Sequence, residues 1–248
     1  MKKAGFNDLE YIEVHKDQKE SIDLLIRFYH ELFVPSFPNE NERESLENIL
    51  YYIENSSNDF NDLLSRTLIF TDVENRVVAG IIFDYFEEIR AYAIEFIVVD
   101  KNFQGKGIAS KVNELAVSMI TEQYKKELEW LVIEIENPKK VTNGDFSYLY
   151  FWKKQHMKLV DFEYIQPALS GNKEPVTTLL LCVKNLRNNS VRTIHKKLIE
   201  RFVDLYAKHA IGIARPDLDP TVSAMCRQLR AIEGDDIALL EIQGENEA

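Results

Sequence analysis

The sequence predicts a mixed α/β fold, a central twisted sheet flanked by helices, on three observations. Apolar residues recur alternately at helix and strand periods along most of the chain. A strand-like run ending at Val99 feeds a loop with two glycines that opens a helical pattern. From about residue 188 the apolar period is helical, which sets a C-terminal helical extension (188–248) apart from a domain over residues 1–187.

Each element follows from local pattern. Asp17 and Glu20 form a capping-box pair ahead of Ile22, Leu25, Ile26 and Tyr29, so a helix is expected over about residues 18–32. Pro35–Pro38 reads as a link, and Leu46, Ile49, Leu50 and Ile53 mark a second helix. Thr67–Thr71 and Val77–Tyr85 read as strands about the turn Val73-Glu74-Asn75-Arg76. Tyr92–Val99 is a β-branched and aromatic strand, and Val112, Leu115, Ala116 and Met119 give the helix that follows. Trp130–Glu136 is the next strand. Asn143-Gly144-Asp145 breaks the chain before an aromatic helix over Ser147–Gln155, and Leu159–Tyr164 and Val176–Val183 supply two more strands. In the extension, Ser190 is expected to cap a helix using Ile194, Leu198, Phe202 and Leu205. Arg215–Pro220 is a rigid break, Thr221–Ile232 a second helix, and Gln243–Ala248 a frayed acidic tail.

Composition narrows the function classes. A chain of 248 residues that is 45% apolar and 11% aromatic can bury a sizeable core. Its formal net charge of −11 repels phosphate backbones, so no nucleic acid partner is expected, and a cationic small molecule suits the field better. Two cysteines, Cys182 and Cys226, make no disulfide framework and supply no metal-ligand spacing. His15, His30, His195 and His209 likewise lack carboxylate or thiol neighbours at such spacing, so no metal is expected. No apolar stretch follows Met1-Lys2-Lys3, and none approaches ~20 residues, so the expectation is a cytoplasmic protein with no membrane partner.

The informative stretch is Glu95-Phe96-Ile97-Val98-Val99-Asp100-Lys101-Asn102-Phe103-Gln104-Gly105-Lys106-Gly107-Ile108-Ala109. Small residues at Gly105, Gly107 and Ala109 let main-chain amides approach a phosphate, and the helix N-terminus adds partial positive charge. A dinucleotide fingerprint would need a third glycine at Ser110, and the following Gly-Lys-Ser/Thr of a Walker A loop is missing.

In this context the loop resembles the GNAT superfamily signature Arg/Gln-x-x-Gly-x-Gly/Ala, as Gln104, Gly107 and Ala109. The resemblance spans about Glu10 to Val183, roughly three quarters of the chain, and implies the GNAT acyl-CoA acyltransferase fold with acetyl-CoA as cofactor. It implies that Ile97, Val98 and Val99 run along the pantetheine arm and that Gln104, Gly105, Lys106, Gly107, Ile108, Ala109 and Ser110 surround the pyrophosphate. The stretch Tyr164-Ile165-Gln166-Pro167 with Glu174-Pro175-Val176 is similar to a bacterial branch of the superfamily that carries a C-terminal helical extension.

Acetyl transfer to an amine needs a base, because a lysine-like ammonium has a pKa near ~10.4. Glu95 is the first candidate, sharing a face with Ile97 and Val99 unless a bulge intervenes. Glu134 is the second, on one face of its strand with Glu136, Trp130 and Val132. The segment Tyr148–Met157 resembles the family's Phe-Tyr-x-x-x-Gly-Phe, whose tyrosine lies at the thioester sulfur. Here Trp152 takes that position beside the cofactor, and an indole delivers no proton at neutral pH. Tyr148, one turn away, is the first candidate acid, Tyr150 fits less well, and departure of the thiolate unprotonated is the alternative. Phe37, Glu42 and Arg43, between the first two helices, lie where relatives place acceptor-binding side chains, and Tyr164 and Gln166 at a strand end are further acceptor contacts. The resulting expectation is an N-acetyltransferase acting on a small-molecule primary amine by direct attack in a ternary complex. The alternative is a CoA-binding sensor or interaction protein weak in catalysis, motivated by Trp152. Two-fold homodimers are common among soluble chains, and the extension offers an interface for one.

Overall fold

The computed structural model describes residues 3–4, 6, 8–55, 63–141 and 146–242. Asn143-Gly144-Asp145 and Gln243–Ala248 lie outside the described residues. The chain groups into two compact units, residues 1–87 with 92–127 and residues 88–91 with 128–248, so the expected boundary at residue 187 falls inside the second. Both combine mostly antiparallel strands with helices, a mixed α/β fold.

The first unit contains β1 (Lys3–Ala4), β2 (Glu10–Glu13), α1 (Lys19–Phe28), α2 (Val34–Ser36), α3 (Leu46–Asn55), β3 (Leu63–Thr71), β4 (Val77–Phe86), β5 (Ala91–Val99) and α4 (Ile108–Ser118). Its strands lie in the order β1-β2-β3-β4-β5. Every residue of β4 is buried, because helices cover both of its faces. On one face Gly80 meets the Phe28 ring of α1, and any Cβ there would overlap that ring. On the other, Phe83 packs against Tyr92, whose hydroxyl bonds Asn113 of α4 at 3.2 Å. The core on the α1 side gathers Leu24, Leu25, Phe28, Phe33, Ile49, Ile69, Ile82 and Val98.

Two local expectations for this unit need correction. The N-cap of α1 is Gln18, with no side-chain cap, and Asp17 is exposed; the buried Ser21 hydroxyl instead accepts the His15 amide at 3.1 Å. Pro35 lies in α2, which follows directly on a π-helical turn over Tyr29–Phe33 that continues α1. The link therefore starts at Phe37. β1 and β2 were not visible in the apolar pattern.

The second unit contains β6 (Trp130–Glu136), α5 (Ser147–Lys154), β7 (Lys158–Val160), β8 (Leu179–Asn185), β9 (Thr193–His195), α6 (Lys196–Leu205), α7 (Pro220–Ala231) and β10 (Asp236–Glu241). Its strands lie in the order β6-β8-β7-β10-β9, with antiparallel pairing throughout. The segment after residue 187 holds its two expected helices and adds two strands, with β10 pairing β7 on one side and β9 on the other. Ser190 does not cap α6; the N-cap is His195, whose Nδ1 accepts the Lys197 amide at 3.2 Å, and Ile194 belongs to β9. Helix α7 is capped by Asp219, whose carboxylate accepts the Thr221 and Val222 amides at 2.9 Å. The strand expected over Leu159–Tyr164 stops at Val160, and Val176 forms only an isolated bridge with Gln166 before β8 begins at Leu179.

Candidate active site

The glycine loop is held by its own polar side chains. Asp100 accepts the Asn102 amide at 2.8 Å and starts a single 3₁₀ turn over Lys101–Phe103. Gln104 then donates its side-chain amide to the Val99 carbonyl at 2.9 Å, tying the loop back to the end of β5. Lys106 donates to the Asn102 carbonyl at 3.0 Å and lies 4.8 Å from the Phe103 ring centroid. Side chains expected at a pyrophosphate thus brace the loop, which leaves the main chain to face outward.

Gly105 and Gly107 adopt φ of +74° and +77°, a region that L-residues with a Cβ rarely enter. A Cβ built at either would meet no atom within 4 Å, so space lies open where a ligand must approach the backbone. The first bond of α4 runs from the Lys111 amide to the Gly107 carbonyl at 3.2 Å, so the Ile108 and Ala109 amides precede the intrahelical ladder. They add the partial positive charge of the helix end. Exposed glycines, early-turn amides and the helix end form a cradle of the kind a diphosphate requires. Ser110 follows half-buried in the same turn, while Val98 is buried in the core and Ile97 and Val99 are half-buried.

On β5, Tyr92 faces α4 but Phe96 packs against Phe33 and Phe37 on the α1 side, with ring centroids 4.8 and 5.1 Å away. Strict alternation would put both on one face, so the side-chain register is broken between them. Glu95 lies within the span where the register breaks, next to Phe96. Its charge reaches the Tyr52 hydroxyl of α3, whose pKa is raised by burial first and then by the Glu44, Asp84 and Glu95 carboxylates. Asp84, on the same face of β4 as Gly80 and Ile82, is only 3% exposed and its Oδ1 has no hydrogen-bond partner. Burial pushes its carboxyl up to about 7, against the opposing pull of the Ser65 hydrogen bond and the Arg66 charge.

In the second unit, Glu134 accepts hydrogen bonds from the Tyr164 hydroxyl, from Gln166 Nε2 at 2.8 Å and from the Tyr206 hydroxyl at 3.4 Å. Three donors converge on one carboxylate. Tyr164 and Gln166 are buried, and Gln166 Oε1 has no partner.

Residues 26–141 match the model of the Acetyltransferase (GNAT) family. That stretch, just under half of the chain, is similar to the GNAT acetyltransferases. Acetyl transfer in general is the chemistry this likeness supports. Among solved structures, a GNAT-family protein from Bacteroides thetaiotaomicron is 17% identical, with 82% of this chain and 98% of that chain covered and a TM-score of 0.56. That likeness shows the GNAT fold. A GNAT-family acetyltransferase from Bacillus anthracis is 14% identical over 76% of this chain and all of its own, at a TM-score of 0.47. No curated protein matches by sequence. No helix among the described residues is long and apolar enough to cross a membrane.

The other GNAT site candidates are spread over both units. Phe37 is largely a packing residue, 5.2 Å from the Phe33 ring centroid. Arg43 donates to the Phe37 carbonyl at 2.8 Å and Glu42 accepts from Asn39 at 2.8 Å, so both organise the link between α2 and α3. Tyr148 donates to the Glu136 carbonyl at 3.2 Å, and Trp152 is buried. Sequence reasoning missed Glu44, Tyr52, Asp84 and Tyr206. Asp84 had a signal, a lone carboxylate within an apolar run; Tyr206 had none, since its partner Glu134 is 72 residues away.

Proposed function

We propose that the protein is an acetyl-CoA-dependent N-acetyltransferase that acts on a small-molecule primary amine by direct attack in a ternary complex. The observation that carries this reading is the pair of left-handed glycines beside the first amides of α4, with open space where their Cβ atoms would stand. Gln104–Ser110 would hold the cofactor's pyrophosphate through main-chain amides, with Lys106 at the rim, while Ile97, Val98 and Val99 lie toward its pantetheine arm. Bound acetyl-CoA supplies a thioester whose C–S bond breaks as the C–N bond to the acceptor forms.

The chain's own contribution is a proton acceptor and a place for the amine. Glu95 is the base this reading favours, because it stands at the break in β5 beside other carboxylates that attract an ammonium. Glu134 serves it less well, since three donors occupy the lone pairs a base would use. Glu134 with Tyr164, Gln166 and Tyr206 instead acts as a positioning cluster. Glu95→Gln is expected to lower kcat for thiol release by about 10²-fold or more with acetyl-CoA affinity kept. Unchanged turnover in that variant would remove Glu95 from the mechanism. The second reading, a CoA-binding sensor, is favoured by the burial of Trp152 and by Tyr148 being engaged with Glu136. Tight acetyl-CoA binding without turnover on any amine would select it.

A further inference from the structure

The Glu44, Asp84 and Glu95 carboxylates of the first unit all act on the Tyr52 hydroxyl of α3. Glu44 precedes α3 and is 7% exposed, and its Oε1 accepts from the Ser45 amide and from Asn48 Nδ2, both at 2.8 Å. Asn48 lies one turn before Tyr52, so this bond sets the Glu44 carboxylate beside the tyrosine's stretch of helix. Helix α3 packs on β3, whose Ser65 is the register partner of Asp84 on β4. Glu95 follows on β5, the neighbour of β4.

A buried carboxylate oxygen without a donor is costly, and native proteins retain such a group chiefly where something else completes it. Asp84 Oδ1 is such an atom. The nearest cation in sequence, Arg66, acts on Asp84 through its charge, while it also pairs with Glu13 at 3.0 Å and donates to the Tyr124 hydroxyl at 2.9 Å and the Ser65 carbonyl at 2.7 Å. Among the described residues no group of three or more His, Cys, Asp and Glu could hold a metal ion. An organic ammonium supplies what is lacking: N–H donors, a positive charge, and an alkyl body compatible with the aromatic lining of Tyr52.

We propose that Asp84, with Glu44 and Tyr52, forms a subsite for a positively charged group of the acceptor, so that the preferred acceptor is an aliphatic diamine. This rests on the N-acetyltransferase reading, with Glu95 serving the amine that reacts and Asp84 holding the second ammonium. A second charge bound in this way also keeps the acceptor from entering in other orientations.

The test pairs diaminobutane with butylamine, which match in carbon count and differ by one charge. Calorimetric titration of each into the protein, without acetyl-CoA, reads the subsite directly; thiol release with acetyl-CoA reads its use. Wild-type protein is expected to bind diaminobutane and to favour it over butylamine by about 10-fold or more in kcat/KM, as a charge-assisted hydrogen bond provides. Asp84→Asn should bring that ratio near one through KM, and Glu44→Gln should lower it in part, with circular dichroism confirming that both variants fold. No heat with diaminobutane, a ratio of one in wild type, or an undiminished ratio in folded Asp84→Asn overturns the subsite. Butylamine turnover without a diamine advantage would leave the transferase reading standing while the subsite falls. Diamine heat lost in Asp84→Asn, with no amine acetylated, would keep the subsite and remove the transferase reading.

Discussion

Asp84 shows how much one residue can decide. Its carboxyl is neutralised by folding: burial raises its pKa from 3.8 to about 7. A folded-state pKa above the unfolded one means that folding favours the protonated form. The associated stability is therefore fully present below pH ~4 and is lost as pH rises through about 7. The Ser65 hydrogen bond and the Arg66 charge, both from β3, act on Asp84, and it acts in turn on the Tyr52 hydroxyl of α3, as Glu44 and Glu95 also do. In the absence of ligand, Asp84→Asn should consequently raise the unfolding free energy read from urea titration at pH 8, by on the order of a few kcal/mol, and change it little at pH 4. An equal change at both pH values would contradict this. The same residue marks where reading the sequence falls short. A lone acid in Val77–Phe86 is visible as an anomaly, but that Arg66 is engaged by Glu13 and Tyr124 depends on contacts up to 111 residues apart.

At the scale of elements, periodicity identified what was long and failed where it was short or borrowed. The expected Val77–Tyr85, Tyr92–Val99 and Trp130–Glu136 agree with the observed strands to within a residue, because each is a mostly apolar or β-branched run. Glu10–Glu13 escaped notice since four residues with acids at both ends carry too little pattern. Ile194 stands four residues before Leu198 and mimics a helical face, although the helix begins at Lys196. Asp17 has the spacing of a cap, yet the buried Ser21 hydroxyl organises that turn. Gly80 reads as an unremarkable strand glycine, and only the packing of α1 on β4 explains it. Gly80→Ala should destabilise the protein by about 1–3 kcal/mol through overpacking against Phe28, seen as a lower denaturation midpoint. A neutral result would mean that α1 shifts freely over β4.

Over the whole molecule, the loop signature and element order were legible because they are local, whereas the extension's role was not. Residues past 187 read as helices set beside a finished domain, but β10 pairs β7 through Leu239–Val160, Leu240–Leu159 and Glu241–Lys158. Tyr206, also from this segment, reaches Glu134 at 3.4 Å. Truncation after Arg187 should therefore remove the cooperative unfolding transition of the second unit and leave it aggregation-prone, because the edge of β7 loses its partner. A truncated chain that unfolds cooperatively with an unchanged midpoint would show the extension to be dispensable. The net charge of −11 accords with an acceptor that is a cation, and such an encounter weakens with added salt.

Cofactor binding is assigned above all to the main-chain amides at Gly105–Ala109. Isothermal titration of acetyl-CoA into wild-type protein and into Gly107→Val tests that directly, since valine at φ +77° both strains the turn and fills the space beside it. The expected result is saturable one-to-one binding in wild type and no measurable heat in a folded Gly107→Val. Absence of heat in wild type at millimolar acetyl-CoA, or equal affinity in the two proteins, would contradict the assignment.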